Sequence, residues 1–252
     1  VSDLSPLRGC PLEHLSITSN RVSDLSPLTG MPLRELECSA NEIEDLSALE
    51  GLPLQALLCN SNAIRDLLPL AGMPLEELDC GRNPALSLEH LQGLPLRILN
   101  CSNTGASDLS PVRGLPLTEL ECADNDIVEL EPLRGMRLNW LSCRGNRVES
   151  LEPLRGMPLR RLSCARNRIT SLEPVGEMDL DFLDCHDNPI ESLKPVADHP
   201  PHVFMFLNTA VPAAELEELA RAWDSDPRYA QHARQAHAAG AAGSRPASTT
   251  SS

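Results

Sequence analysis

Pro32-Leu33-Arg34-Glu35-Leu36-Glu37-Cys38-Ser39-Ala40-Asn41 recurs 84 residues later as Pro116-Leu117-Thr118-Glu119-Leu120-Glu121-Cys122-Ala123-Asp124-Asn125. That separation is four periods of 21. Laid out at this period, the chain yields nine full units, starting at residues 11, 32, 53, 74, 95, 116, 137, 158 and 179. Leu holds the second, fifth and fifteenth positions in all nine, Cys the seventh in eight and Asn the tenth in eight. A fixed period of this size marks an array in which each unit buries its apolar face only against its neighbours.

Each column has a physical reading. Leu36 and Cys38 are two apart, so on a strand both point inward, while Glu35 and Glu37 point to the opposite, solvent face. Asn41 ends the extended run, and its amide can bond backbone groups that the turn leaves unpaired, which predicts a stacked Asn ladder. Pro stands at the seventeenth position in seven of nine units, fixing φ and removing a donor, so the far side of the coil is expected to be turns or 3₁₀ segments. Gly followed two residues later by Pro, as in Gly72-Met73-Pro74, supplies the turn into the next strand. Strands stacked about 4.8 Å apart over nine units predict a slab roughly 45 Å long.

The pattern Leu-x-x-Leu-x-(Leu/Cys)-x-x-Asn resembles the leucine-rich-repeat family from residue 1 to about 208. The second half of the unit, as in Ser23-Asp24-Leu25-Ser26-Pro27-Leu28-Thr29-Gly30-Met31, looks most like short bacterial repeats. The resemblance implies an α/β solenoid with a curved parallel sheet on the concave face and C-terminal capping helices. It also implies a protein–protein interaction module; the alternative is the recognition arm of a larger bacterial signalling enzyme such as a protein kinase.

Residues 1–10 read as a partial repeat from which an N-terminal cap is missing, 11–199 as the nine repeats, 200–237 as a C-terminal cap and 238–252 as a disordered Ala/Gly/Ser/Thr-rich tail. Within the cap, Phe204 and Phe206 take the inward positions of a tenth strand. Pro212 to Trp223 has helical spacing of Leu216, Leu219 and Trp223, and a second helix is expected from about Pro227 to His237. Units four and five depart from the pattern, with Ala85 and Ala106 at a wall position, His90 for Pro and Thr104 for Asn. Looser packing or a bend is expected there.

The formal net charge is −15, which argues against nucleic acid and anionic membrane as partners, and no apolar run is long enough for a membrane helix. Eight cysteines spaced 21 apart form one inward column without a Cys-x-x-Cys pair, so they read as small buried thiols rather than disulfides or a metal site. Many free thiols favour the cytosol. Cys185-His186-Asp187 and Cys122-Ala123-Asp124 have the look of nucleophile signatures, but buried cysteines lack the required exposure. His232 and His237, five apart, miss the spacing for shared ligation and read as a solvated helix surface. No catalytic residue, metal or cofactor is expected, and the chain is expected to be a monomer.

Recognition is therefore assigned to the outward strand positions. The fourth and sixth columns carry Glu35, Glu37, Glu77, Asp79, Glu119 and Glu121 in units two to six, whereas units seven and eight bring Trp140, Arg144, Arg147, Arg160, Arg161, Arg166 and Arg168. The face is expected to be dipolar, with Arg161 between the rings of Trp140 and Phe182 on consecutive strands. Glu77, Glu119, Glu121, Trp140, Arg144, Arg161, Phe182 and Asp184 are the candidate contacts for a protein partner, since Trp and Arg are enriched at interface hot spots. RNA binding through the arginines is the weaker reading beside an acidic face.

Overall fold

A computed structural model describes residues 1–224 and 230–243 of the protein. Its strands are β1 (His14–Ser16), β2 (Glu35–Glu37), β3 (Ala56–Leu58), β4 (Glu77–Asp79), β5 (Ile98–Asn100), β6 (Glu119–Glu121), β7 (Trp140–Ser142), β8 (Arg161–Ser163), β9 (Phe182–Asp184) and β10 (Val203–Met205). They form one parallel sheet in chain order. The register pairs each residue with its equivalent 21 positions on, from His14 opposite Glu35 to Phe182 opposite Val203. This one-unit register is the only one that stacks Leu on Leu and Cys on Cys along the inner face.

Return segments on the convex side carry short 3₁₀ turns such as Ser26–Leu28 and Glu131–Leu133, each with Pro in its first positions. The Asp24 carboxylate accepts from the Ser26 backbone N–H and hydroxyl, and these bonds hold it below the usual carboxylate range. They also satisfy donors at the turn that no helix ladder would reach.

Inside the coils, Leu36, Cys38, Ile43, Leu46 and Leu49 and most of their equivalents are fully or almost fully buried; Leu15 and Ala106 are partly buried and Ala85 is exposed. The Asn ladder forms as the spacing implies. Asn41 Nδ2 donates to the carbonyls of Ile17, Cys38 and Ser39, and its Oδ1 accepts from Val22 N–H at 2.9 Å. The ladder ties each unit to the one before it. It accompanies a left-handed residue just before the Asn, such as Ala40 at φ 54° and Arg166 at φ 55°, a conformation that costs a non-glycine side chain about 1–2 kcal/mol.

In units four and five, where looser packing or a bend is expected, other contacts keep the turns hydrogen-bonded. Thr104 Oγ1 donates to Cys101 O at 2.9 Å, and Asn125 Oδ1 accepts from Thr104, Gly105 and Ala106 N–H. In unit four, Leu86 is buried and takes over the wall position that Ala85 leaves.

Two helices close the C-terminal end. In α1 (Ala213–Asp224), Leu216, Leu219, Ala220 and Trp223 are buried, and Trp223 Nε1 donates to Ala197 O at 3.1 Å. Phe204 and Phe206 face Trp223 with ring centroids 6.4 and 6.1 Å away. Such packing covers the last coil, whose core would otherwise meet water. The second helix, α2 (Ala230–Gly243), runs past His237 into the stretch read as tail, because alanine favours helix as strongly as its small side chain disfavours a core. Residues 244–252 of that tail lie outside the described residues. The surface reading of His232 is also corrected: it is buried against Phe204 and Trp223, with Nε2 donating to Pro201 O at 2.8 Å. His237 is exposed.

Candidate functional site

Side chains alternate across a strand, so positions four and six of every unit project from the concave face. In β7, β8 and β9 the fourth position carries Trp140, Arg161 and Phe182 in lateral register. The Arg161 guanidinium carbon lies 4.6 Å from the centre of the Trp140 ring and 5.8 Å from that of Phe182. The two rings are 6.0 Å apart and inclined at 69°. Cation–π contact at such sites contributes about 0.5–1 kcal/mol, and it leaves the guanidinium edge free to donate. Trp140 Nε1 donates to Glu121 Oε1 at 3.3 Å. Glu121 on one side and Arg161 on the other thus hold the indole before any partner arrives.

The protein has two Trp and three Phe. Phe204, Phe206 and Trp223 are buried in the cap, which leaves Trp140 and Phe182 as the Trp and Phe side chains that meet solvent. On β10 and the turn after it, Val203 and Leu207 are about half exposed, at 48% and 49%. Val203 is in lateral register with Phe182, while Leu207 sits at position eight, past the strand, in a cleft shared with Val211 and Leu216 of the cap.

The remaining candidates divide. Glu119 on β6 stands in lateral register with Trp140, whereas Glu77 on β4 lies beyond Ile98 of β5, away from the aromatic stack. Glu121 joins the stack through Trp140. Asp184 is not open to solvent as expected: it is 4% exposed. Its carboxylate accepts from Ser163 Oγ, meets His186 Nδ1 and lies 3.9 Å from Arg144. Arg144 and His186 occupy position eight of their units and lean back over position six, covering Asp184. Ser142 and Ser163 are buried in the same column.

The basic half is also less basic than the residue count suggests. Arg147 pairs with Asp126, Arg160 with Asp179, Arg166 with Asp187 and Arg168 with Glu149. With Arg144 held by Asp184, Arg161 alone among these six arginines has no carboxylate at ion-pair distance among the described residues. Pairing outside the strand columns cannot be read from position alone.

Cys122 and Cys185 stand in the buried ladder with no solvent exposure, and burial pushes both thiols well up. Desolvation likewise pushes Cys38, Cys101 and Cys143 up to about 12, the opposite of what a nucleophilic cysteine needs. All nine cysteines are free thiols.

A one-unit parallel register, an inner Leu/Cys column, an Asn ladder and a 3₁₀-turned convex side define a leucine-rich-repeat solenoid. Among solved structures, the internalin inlF of Listeria monocytogenes is 28% identical and superposes with a TM-score of 0.78 over 83% of this chain. The match spans 65% of that internalin chain. Internalin C2 of the same organism is 25% identical, with a TM-score of 0.54 over 74% of this chain and 76% of its own. The functional domain of InlJ from Listeria monocytogenes, which includes a cysteine ladder, is 24% identical with a TM-score of 0.68, covering 86% of this chain and 48% of that one. No protein-family model and no curated protein matches the chain. Among the described residues no helix is long and apolar enough to cross a membrane.

Proposed function

We propose that this solenoid binds a protein partner on its concave face, with Trp140, Arg161 and Phe182 as the anchor, and Arg144 and Val203 around it. The observation that carries this reading is the stack itself: both solvent-facing Trp and Phe side chains sit on one patch, around the one arginine of the group left without a carboxylate. Aromatic and Arg side chains contribute most at interfaces when they are already ordered, because less conformational freedom is lost on docking. Glu77 and Glu119 are assigned to steering, while Glu121 holds the Trp140 indole within the contact surface. Leucine-rich-repeat neighbours are binding domains, which supports the general reading.

Affinity capture with the intact chain, compared across variants, tests it. A partner retained by wild type and by Glu77→Lys, and lost with both Trp140→Ala and Arg161→Glu at unchanged thermal unfolding, is the expected result. Undiminished capture by both aromatic-patch variants discards the site.

We infer a reducing working compartment, the cytosol, and the support for it is the ladder of free thiols. Thiol titration of protein isolated from its native host under denaturing, non-reducing conditions is expected to label eight or nine of the nine cysteines. Fewer than five would remove the argument.

A further inference from the structure

Away from the sheet, the turn that brings each coil back from its convex side to its next strand forms a shallow cleft between successive units. Two of these clefts are related by a shift of 42 residues along the chain, so they share a backbone and differ in side chains. In the later one, Arg155 and Arg160 face Glu177 and Asp179, and Arg160 Nη1 bonds Asp179 at 2.6 Å. Its charge is self-cancelled.

The earlier cleft, of about 500 Å³, is lined by Arg97, Arg113, Arg134 and Arg137 over an apolar floor that includes Leu115 and Met136, with no carboxylate in its wall. Gly135 stands where the later cleft has Glu177, and Arg137 where it has Asp179. Arg137 also departs from the repeat, since seven of the nine units carry Pro at that first position. Arg97 and Arg134 pair with Glu76 and Glu131 outside the wall. Arg113 and Arg137 have no carboxylate at ion-pair distance among the described residues. Four guanidinium groups converge here in a chain whose formal net charge is −15.

We propose that this cleft binds an acidic segment of a protein partner, carboxylates engaging Arg113 and Arg137 while an intervening apolar side chain rests on Leu115 and Met136. Guanidinium groups match carboxylates bidentately, and a volume of about 300–1,000 Å³ is the usual range for a ligand cleft. The apolar floor favours a peptide over a bare anion. The acidic remainder of the molecule repels a long polyphosphate that would have to run beyond the four arginines. This site is independent of the concave patch.

Fluorescence anisotropy with a labelled Glu-Glu-Leu-Glu-Glu peptide and the full chain at low salt tests the assignment. Saturable binding is expected, weakened about tenfold or more by Arg113→Ala with Arg137→Ala, as two charge-assisted contacts are lost. Arg155→Ala with Arg160→Ala in the self-cancelled cleft, and Trp140→Ala on the sheet, are expected to stay within about twofold. If the double variant unfolds early, Arg137→Pro, which restores the residue of the other units, serves instead and is expected to weaken binding about threefold or more. Absence of saturable binding, an equal loss from the Arg155 and Arg160 changes, equal binding of a Lys-Lys-Leu-Lys-Lys peptide, or tighter binding of an oligouridylate of the same length would each overturn the proposal.

Discussion

Position six of the repeat carries an aspartate in both β4 and β9, and the two live differently. Asp79 is partly exposed; its carboxylate accepts from the Asn60 amide and from Gly81 N–H. Burial is the main cause that pushes its carboxyl above the usual range, with Glu121 adding to it. Asp184, on the same column five units later, is covered by His186 and Arg144 and accepts from Ser163. The cause lies at position eight: Gly81 has no side chain to lean back, whereas Arg144 and His186 do. Backbone and register are the same, so the difference belongs to what position eight of the same coil and of neighbouring coils places beside the column. Asp79 is a half-buried acid held by amide donors in the acidic half, while Asp184, closed over by Arg144 and His186, lies beneath the basic half of the face.

That contrast can be broken first at the partner. Trp140→Ala is expected to cost roughly 2 kcal/mol of binding, about thirtyfold in Kd. Glu77→Lys is expected to change mainly the association rate and its salt dependence, with Kd within about tenfold. Surface plasmon resonance at two salt concentrations separates the two; equal effects on the dissociation rate would erase the distinction between anchor and steering half.

Stability sharpens it next. Asp184→Ala removes the acceptor beneath the patch and is expected to cost about 2 kcal/mol in urea unfolding, because the buried Ser163 hydroxyl and the Arg144 and His186 side chains lose their partner. Glu77→Ala, on the open half, is expected to stay within about 0.5 kcal/mol. Comparable losses would mean that Asp184 supports nothing in particular.

The smallest expected effect is in pH. A carboxyl whose folded pKa is raised binds its proton more readily in the folded than in the unfolded state, so its contribution to stability falls as pH rises from the ordinary value of 3.8 through the raised one. Asp79→Asn abolishes that loss. Its stability relative to wild type is expected to be higher at pH 7 than below pH 3.8, read by urea unfolding at the two pH values. A difference of the opposite sign would show that the Asn60 and Gly81 contacts, not desolvation, govern the site, and one that does not change with pH would show that the two cancel.

Much of this molecule was legible from its columns. Leu at positions two, five and fifteen, Cys at seven and Asn at ten imply strand, ladder and turn because each residue type has one place where its polarity and size are satisfied. The same column logic aligned Trp140, Arg161 and Phe182, since a one-unit register puts equal positions side by side. It failed where a side chain leaves its column. Asp184 is hidden by residues at position eight, and five of the six arginines of the basic half lie at ion-pair distance from an acid of another unit. His232 went unread as a core residue because an alanine-rich helix carries too weak an apolar stripe to show which face is buried.

What the sequence by itself determined is the period, and with it the solenoid, because a 21-residue repeat can bury its apolar face only by stacking on its own copies. Only the tertiary structure decided which charges are spent on one another and which remain for a partner. Ion pairing depends on distances across neighbouring coils and on side-chain direction, and neither is contained in a residue's position within its repeat.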